Sequence, residues 1–459
     1  MLQGTGQPNN MAPFTYKTLE DLQAEIVAMG LDIPTTADFS VLGKPLRIGR
    51  GTAPNRLADH PMEGCDGEPD GRPSALAIRR YERFASGGAG IIWVEACAVV
   101  PEGKANPRQL QITRENLPAF ADLIKRIHTL AAQNMGQGFK PYVILQLTHS
   151  GRYSKPHGTA APIIAHHSII DARSSVTPDT PLVSDEYLDA LPQAYARSAA
   201  LAAEAGFDAV DVKACHRYLL SELLASFTRS GRYGGSYENR TRLMLDIVRR
   251  IRADVPAIDI TPRLNVYDAL PQPFGWGVAA GDADPPTPDL AEPLKLVATL
   301  VDLGIAALSV TLGNPYFNPH FNRPYDRPVE GMPMPTEHPL IGVQRHLTLT
   351  RTIQQAFPAL PVMGAGFTWL RQFFPNVAAA AISKGWATAT GQGRGGFAYP
   401  DFPKDILNNG RLDSKKVCTT CSGCTQIMRD GGQAGCIVRD AEVYMPIYRA
   451  GRERAKKTT

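Results

Sequence analysis

Residues 207–242 read FDAVDVKACHRYLLSELLASFTRSGRYGGSYENRTR, and this stretch decides the fold. It opens on a short apolar run, 207–212, whose β-branched content and length suit a buried parallel strand better than a helix. At the carboxyl end of the run, Lys213, His216 and Tyr218 bring an ammonium, an imidazole and a phenol within six residues of chain. The passage from strand to loop is where an α/β barrel carries its chemistry. A lone His in such a place is more often a hydrogen-bonded structural group, and a lone Tyr more often packing. The trio therefore takes its meaning from the rest of the chain.

Outward from this stretch, apolar strand-like runs alternate with helical patterns, and the strands number eight: 57–62, 90–99, 142–149, 207–214, 259–266, 305–313, 361–367 and 387–394. Segments 188–205 and 238–253 between them carry apolar residues at helical spacing. Eight such units predict an α/β fold, a closed (β/α)8 TIM barrel. Pro-, Gly- and polar-rich segments at 150–186, 267–290 and 314–338 are long loops on the carboxyl face, where loop length usually serves function. Ahead of the barrel, residues 18–30 form an amphipathic helix. Thr18 and Asp21 make a capping box, Leu19, Leu22, Ile26 and Met29 share a face, and Gly30 is a C-cap. It is expected to lid the closed bottom of the barrel or to make an oligomer contact. The expected division is an N-terminal extension (1–45), a barrel (46–410) and a Cys-rich segment (411–459).

Composition sets the outer bounds. At 459 residues, 43% hydrophobic and 20% charged, the chain suits one large barrel with additions. A net charge of +4, scattered along the sequence, argues against a nucleic-acid partner. No apolar run approaches the roughly 18 residues a membrane span needs. The opening MLQGTGQPNN lacks the basic and apolar regions of a secretion signal, so a cytoplasmic protein is expected. Of seven cysteines, four crowd near the C-terminus, a pattern of an intracellular metal or cluster site rather than a disulfide framework.

The opening stretch resembles the Old Yellow Enzyme family of FMN-dependent ene-reductases, in which H-x-x-[HN]-x-Y precedes YGGS-x-ENR-x-R. Residues 233–242, YGGSYENRTR, match the second part without a gap, while Lys213 stands where the first usually has His. The resemblance extends over residues 50–410. His60-Pro61-Met62-Glu63 is similar to the family's [SA]-P-M-[TC] run along the flavin edge, with Glu63 replacing a neutral group. Val94-Glu95-Ala96 resembles a V-[ET]-A run whose Ala lies against the isoalloxazine, and 146–152 resembles Q-L-x-H-x-G-R, whose Gln, here Gln146, bonds the flavin pyrimidine. Arg263 matches an Arg that offsets the negative charge of reduced flavin; an ion-pair role without catalytic meaning is the alternative. Gly364, Ala365 and Gly366, with Gly393 and Arg394, are the implied phosphate site. Residues 391–396 also fit G-x-G-x-x-G, but without the βαβ setting of a dinucleotide fold.

The resemblance implies hydride transfer from NAD(P)H to FMN and from FMN to an activated alkene. Lys213 and His216 would hold the substrate's carbonyl or nitro oxygen, and Tyr218 would give the proton. Amine oxidation or demethylation on the same barrel is an alternative, as are a Schiff-base aldolase using Lys213 and a non-enzymatic zinc-knuckle binding protein. Opposite charges at Glu63 and Lys213 are expected to be coupled, within about 6 Å. Cys418, Cys421, Cys424 and Cys436, spaced C-x2-C-x2-C-x11-C, resemble the [4Fe–4S] site of the branch that includes 2,4-dienoyl-CoA reductase and trimethylamine dehydrogenase. Zinc and free thiols are the rivals. With a cluster, a partner subunit or small ferredoxin is an expected electron donor.

Overall fold

The computed structural model describes residues 14–458, and in it all eight expected strands are present and parallel. They are β1 (Leu57–Asp59), β2 (Ile91–Ala98), β3 (Tyr142–Thr148), β4 (Ala209–Val212), β5 (Asp259–Ile260 continued by Arg263–Asn265), β6 (Leu308–Thr311), β7 (Val362–Gly364) and β8 (Ala389–Gln392). Neighbours pair in sequence order, and β8 returns to β1 through Gly391 opposite Ala58. The ring closes at β5, whose first piece pairs with β4 and whose second pairs with β6, with Ala214 bridging to Leu264. The break falls at Pro262, which has no N–H to continue the ladder. The TIM barrel is thus as expected, though most strands are shorter than their apolar runs, because the run ends turn out of the ladder to line the carboxyl face.

Strands β2 and β3 are buried along their whole length, as parallel strands covered on both faces must be. Helices between strands start on serine caps: Ser74 before Ala75–Ser86, Ser184 before Asp185–Ala205 and Ser236 before Tyr237–Asp254. The family-like run 233–242 is one of these starts. Asn239 donates to the carbonyls of Gly231 and Gly234, and Arg240 to those of Gly235 and Leu224, so the motif shapes a turn and a helix N-terminus.

The N-terminal helix, Leu19–Ala28, has its capping box, with Thr18 accepting from the Asp21 amide. Its place differs from the expected lid. Leu22 and Ile26 pack with Leu340, Val343, Phe374 and Val377, in the outer helical layer near β6 and β7. The bottom is stoppered instead by the hairpin Leu46–Ile48/Gly51–Ala53, whose Leu46, Ile48 and Ala53 enter the barrel interior with Trp93 and Met363. Residues 1–10, read for a targeting signal, lie outside the described residues. No described helix is long and apolar enough to cross a membrane.

The segment after the barrel is not a separate body. Helices Gly423–Arg429 and Ala441–Thr458 place Ile427, Ala434 and Tyr444 in the main apolar core. Asp440 receives Arg79 and Arg83, and the Ala434 amide donates to the Gly64 carbonyl.

Candidate functional site

A cavity of about 920 Å³ opens at the carboxyl ends of the strands. One part is built by β1 and β4. Glu63 Oε1 lies 3.6 Å from Lys213 Nζ, which is the expected coupling. The same oxygen accepts from Tyr218 Oη at 3.1 Å and from Gln109 Nε2 at 3.1 Å. The Lys213 ammonium also sits 3.8 Å from the centre of the Tyr218 ring. Burial, then Glu63, holds the Tyr218 phenol well above its ordinary range, so it stays a proton donor. His216 is pushed well below the usual range by burial and by the cations Lys213, Arg263 and Arg394, so its imidazole is neutral.

His216 and Arg217 both adopt the left-handed backbone region, each with φ of 63°. Successive non-glycine residues there are strained, and such strain persists only where the surroundings over-determine it. Arg217 supplies the hold: it is buried against Asp268 at 3.1 Å and donates toward His166 at 3.0 Å. The turn aims His216 into the cavity, where its Nε2 has no partner.

The opposite part is cationic. Arg263 from β5, Arg323 from the loop after β6 and Arg394 from the end of β8 all line the cavity, and none is paired with a carboxylate among the described residues. Arg263 Nε and Nη1, Arg323 Nη1 and Arg394 Nε are buried without hydrogen-bond partners. Burial, then Arg394, pushes Arg323 down to about 9. Gly366 (φ 92°) and Gly393 give backbone access here; a Cβ on Gly393 would stand 2.9 Å from Met62 Cγ. Cations without carboxylate partners, one buried and two half-buried, beside accessible backbone suit an anion, and together with the Gln146 amide and the apolar Pro61, Met62 and Ala365 they fit a phosphorylated planar ring such as FMN.

Most residues named from sequence meet here: Pro61, Met62, Glu63, Gln146, Lys213, His216, Tyr218, Arg263, Ala365, Gly366, Gly393 and Arg394. Two do not. Ala96 is buried within β2 beside a register shift between Val94 and Cys97, away from the lining, and Gly364 is still in strand, its carbonyl bonded to His60. Sequence reading missed Arg323, Tyr153 and Tyr316, the last two stacked at 3.8 Å between ring centres with Tyr316 Oη 3.4 Å from Tyr218 Oη. They come from long loops, which carry no periodic signal.

The four C-terminal cysteines lie behind the arginines. Burial raises the Cys418 thiol to about 12, and Cys424, Cys436 and Cys421 each push it the same way, so the thiols are mutual neighbours. Among the described residues, no three or more His, Cys, Asp or Glu side chains form a metal-binding set as placed. The loop between the thiols reaches the cavity directly: Ser422 Oγ accepts from Arg323 at 2.7 Å and Thr425 Oγ1 from Arg394 at 3.0 Å.

Residues 41–274, spanning β1 to β5, match the model of the NADH:flavin oxidoreductase / NADH oxidase family. The chain belongs to this family. An NADPH dehydrogenase of Halalkalibacterium halodurans is 34% identical over 207 residues, covering 44% of the chain and 56% of that relative. The solved structure of an Old Yellow Enzyme homologue from Zymomonas mobilis aligns with a TM-score of 0.58 at 22% identity, over 82% of the chain and 94% of its own. A 2-naphthoyl-CoA reductase in complex with 2-naphthoyl-CoA aligns with a TM-score of 0.69 at 22% identity, over 91% of the chain and 58% of its own. These likenesses bear out the expected fold and the Old Yellow Enzyme relationship. The chain spans little more than half the length of the first curated relatives it matches.

Proposed function

We propose that the protein is an FMN-dependent oxidoreductase that takes reducing equivalents from NAD(P)H, or from a partner protein, and reduces an activated C=C bond. The reading is carried by one juxtaposition: the buried Arg263 and the half-buried Arg323 and Arg394, with no carboxylate partners among the described residues, face across one cavity the cluster Lys213, His216 and Tyr218. Bound FMN would supply two-electron hydride transfer. Arg323 and Arg394 would hold its phosphate and Gln146 and Arg263 its ring, Arg263 offsetting the negative charge that reduction adds. Neutral His216, through Nε2–H, and Lys213 would bind the substrate's electron-withdrawing oxygen, and Tyr218 would donate the proton. Anaerobic mixing tests this. FMN-loaded protein should bleach with NADH or NADPH and regain its colour with an enone, a dienoyl thioester or a nitroalkene. Protein that takes up no FMN, or whose reduced flavin none of these acceptors reoxidises, would overturn the reading.

For the cysteine segment we propose a [4Fe–4S] cluster held by Cys418, Cys421, Cys424 and Cys436, supported by their spacing and by the neighbouring thiols. Anaerobically purified protein should then contain about four iron per chain; one zinc per chain or no metal would refute it. Amine oxidation would use the same cavity and is tested by the same flavin colour change. No observation favours the Schiff-base reading, since Lys213 is held by Glu63 and the Tyr218 face.

A further inference from the structure

Asp211, fully buried in β4 beneath the cavity, belongs to none of the motifs read from the sequence. Its carboxylate gathers three donors from three strands. Oδ2 accepts from Gln146 Nε2 of β3 at 2.6 Å and from the Trp93 indole N–H of β2 at 3.1 Å, while Oδ1 accepts from the Arg263 backbone N–H of β5 at 2.7 Å. An indole and a backbone amide can only donate, so both carboxylate oxygens are fixed as acceptors. The Gln146 amide could turn either way in isolation, but it meets an acceptor and must present its NH2. That bond is the one its side chain makes among the described residues, which leaves Oε1 for the cavity that Gln146 lines. The same carboxylate pins the backbone of Arg263, whose guanidinium reaches the cavity with Nε and Nη1 unpartnered.

We infer that Asp211 is a positioning residue for the cofactor ring: by locking the Gln146 amide, it makes residue 146 an obligate acceptor and requires a ring N–H opposite Oε1. The inference rests on the proposed FMN site and deepens it. An oxidised isoalloxazine has one pyrimidine N–H, at N3, so Asp211 selects which ring edge faces β3. Adenine-like or fully alkylated rings, which lack that imide N–H, are disfavoured.

The test uses the full chain, freed of flavin and titrated with FMN, read by flavin fluorescence and by the N3–H resonance of 15N-labelled FMN. Asp211→Asn keeps an acceptor for the Arg263 amide but turns an NH2 toward Gln146. The Gln146 amide must then flip and offer NH2 to the ring. FMN affinity should fall about tenfold or more, the cost of opposing two donors in a buried site, and the N3–H resonance should move. Gln146→Glu, with Asp211 in place, sets two carboxylates face to face and should weaken FMN to a similar degree. Combining the two restores a donor–acceptor pair with an acceptor toward the ring, and affinity should recover by about tenfold over the product of the single losses, the mark of direct coupling, with the unmatched Trp93 N–H keeping it short of wild type. Folded Asp211→Asn protein with wild-type FMN affinity and an unmoved N3–H resonance would overturn the inference. So would Gln146→Glu binding FMN like wild type, which decides the matter even where Asp211→Asn fails to fold. Wild-type protein that takes up no FMN removes the flavin reading itself, and this inference with it.

Discussion

The two ends of the cavity handle buried charge in opposite ways. Around Glu63 and Lys213, a carboxylate and an ammonium sit 3.6 Å apart with Tyr218 and Gln109 adding hydrogen bonds, so this end is balanced within the protein. Among the described residues no carboxylate pairs with the guanidinium of Arg263, Arg323 or Arg394, and guanidinium nitrogens are left unpartnered. Burying like charges without compensation is costly, whereas a paired charge loses little by being enclosed. On the proposed reading, the balanced end would act on a molecule that comes and goes, and the unbalanced end would retain one that stays.

The largest effect is expected at the balanced end. Tyr218→Phe removes the proposed proton donor, and reoxidation of the reduced flavin by an alkene should slow by about 10²–10⁴-fold. Reduction by NAD(P)H, followed by stopped-flow absorbance, should be little changed. Equal losses in both half-reactions would mean that this end binds rather than donates a proton.

At the unbalanced end, Arg323→Ala and Arg394→Ala should each weaken FMN by roughly 10–100-fold while leaving riboflavin affinity nearly constant, the signature of lost charge-assisted bonds to phosphate. Calorimetric titration with both ligands checks this. Loss of riboflavin and FMN in parallel would place the arginines against the ring and dissolve the contrast between the ends.

A smaller effect probes the pair itself. Glu63→Thr and Lys213→His each leave one buried charge or its former partners unmatched, and each should lower unfolding stability by about 1–3 kcal/mol. The double variant should recover about 1 kcal/mol or more relative to the sum, as coupled neighbours do. Strict additivity in urea unfolding would show the two charges to be independent.

The mildest test is acid. Burial holds His60, His149 and His346 at about 3, and His166 and His216 well below 6.5, so unfolding exposes imidazoles that take up protons near 6.5. The unfolded state binds more protons as pH falls, and stability should drop from pH 6.5 downward. Asp59 and Glu95, raised by burial, act in the opposite sense because there the folded state holds the proton, and Asp211, a carboxylate at neutral pH, joins them only below about 6. Burial also lowers His128, His320 and His338 and raises Asp208 and Asp268, so eight imidazoles stand against five carboxyls and leave a net loss of roughly 1–3 kcal/mol per pH unit between 6.5 and 5. Flavin-free protein whose thermal midpoint rises over that window would contradict it.

What was legible in the sequence was what is local. Apolar runs of strand length gave the barrel order, and the Thr18–Asp21 capping box marked one helix start. The run YGGSYENRTR was recognisable as a family motif, and its work is local too, its asparagine and arginine side chains bonding backbone carbonyls only a few residues away. Residues that end strands, such as Lys213 and Arg263, could be placed because the barrel sends every strand end to one face. Ala96 went astray through a local irregularity of β2, and the N-terminal helix because a capping box says where a helix begins but not what it packs against. Arg323 and Tyr316 arrive on loops whose path is set by distant contacts, Arg323 through Ser422 about a hundred positions along the chain. Asp211 was hidden in plain alternation, reading as one polar residue in a short strand.

The grip of Ser422 and Thr425 on Arg323 and Arg394 has a bearing on biosynthesis. These hydroxyls are translated after every barrel strand, yet they help shape the wall against which a phosphate would rest. The arginines of the pocket gain these two contacts only once residues 418–436 have emerged and docked, so a cofactor held there would meet a complete wall only late in synthesis. A barrel without that segment would lack both hydroxyl contacts to the arginines and part of its own apolar core.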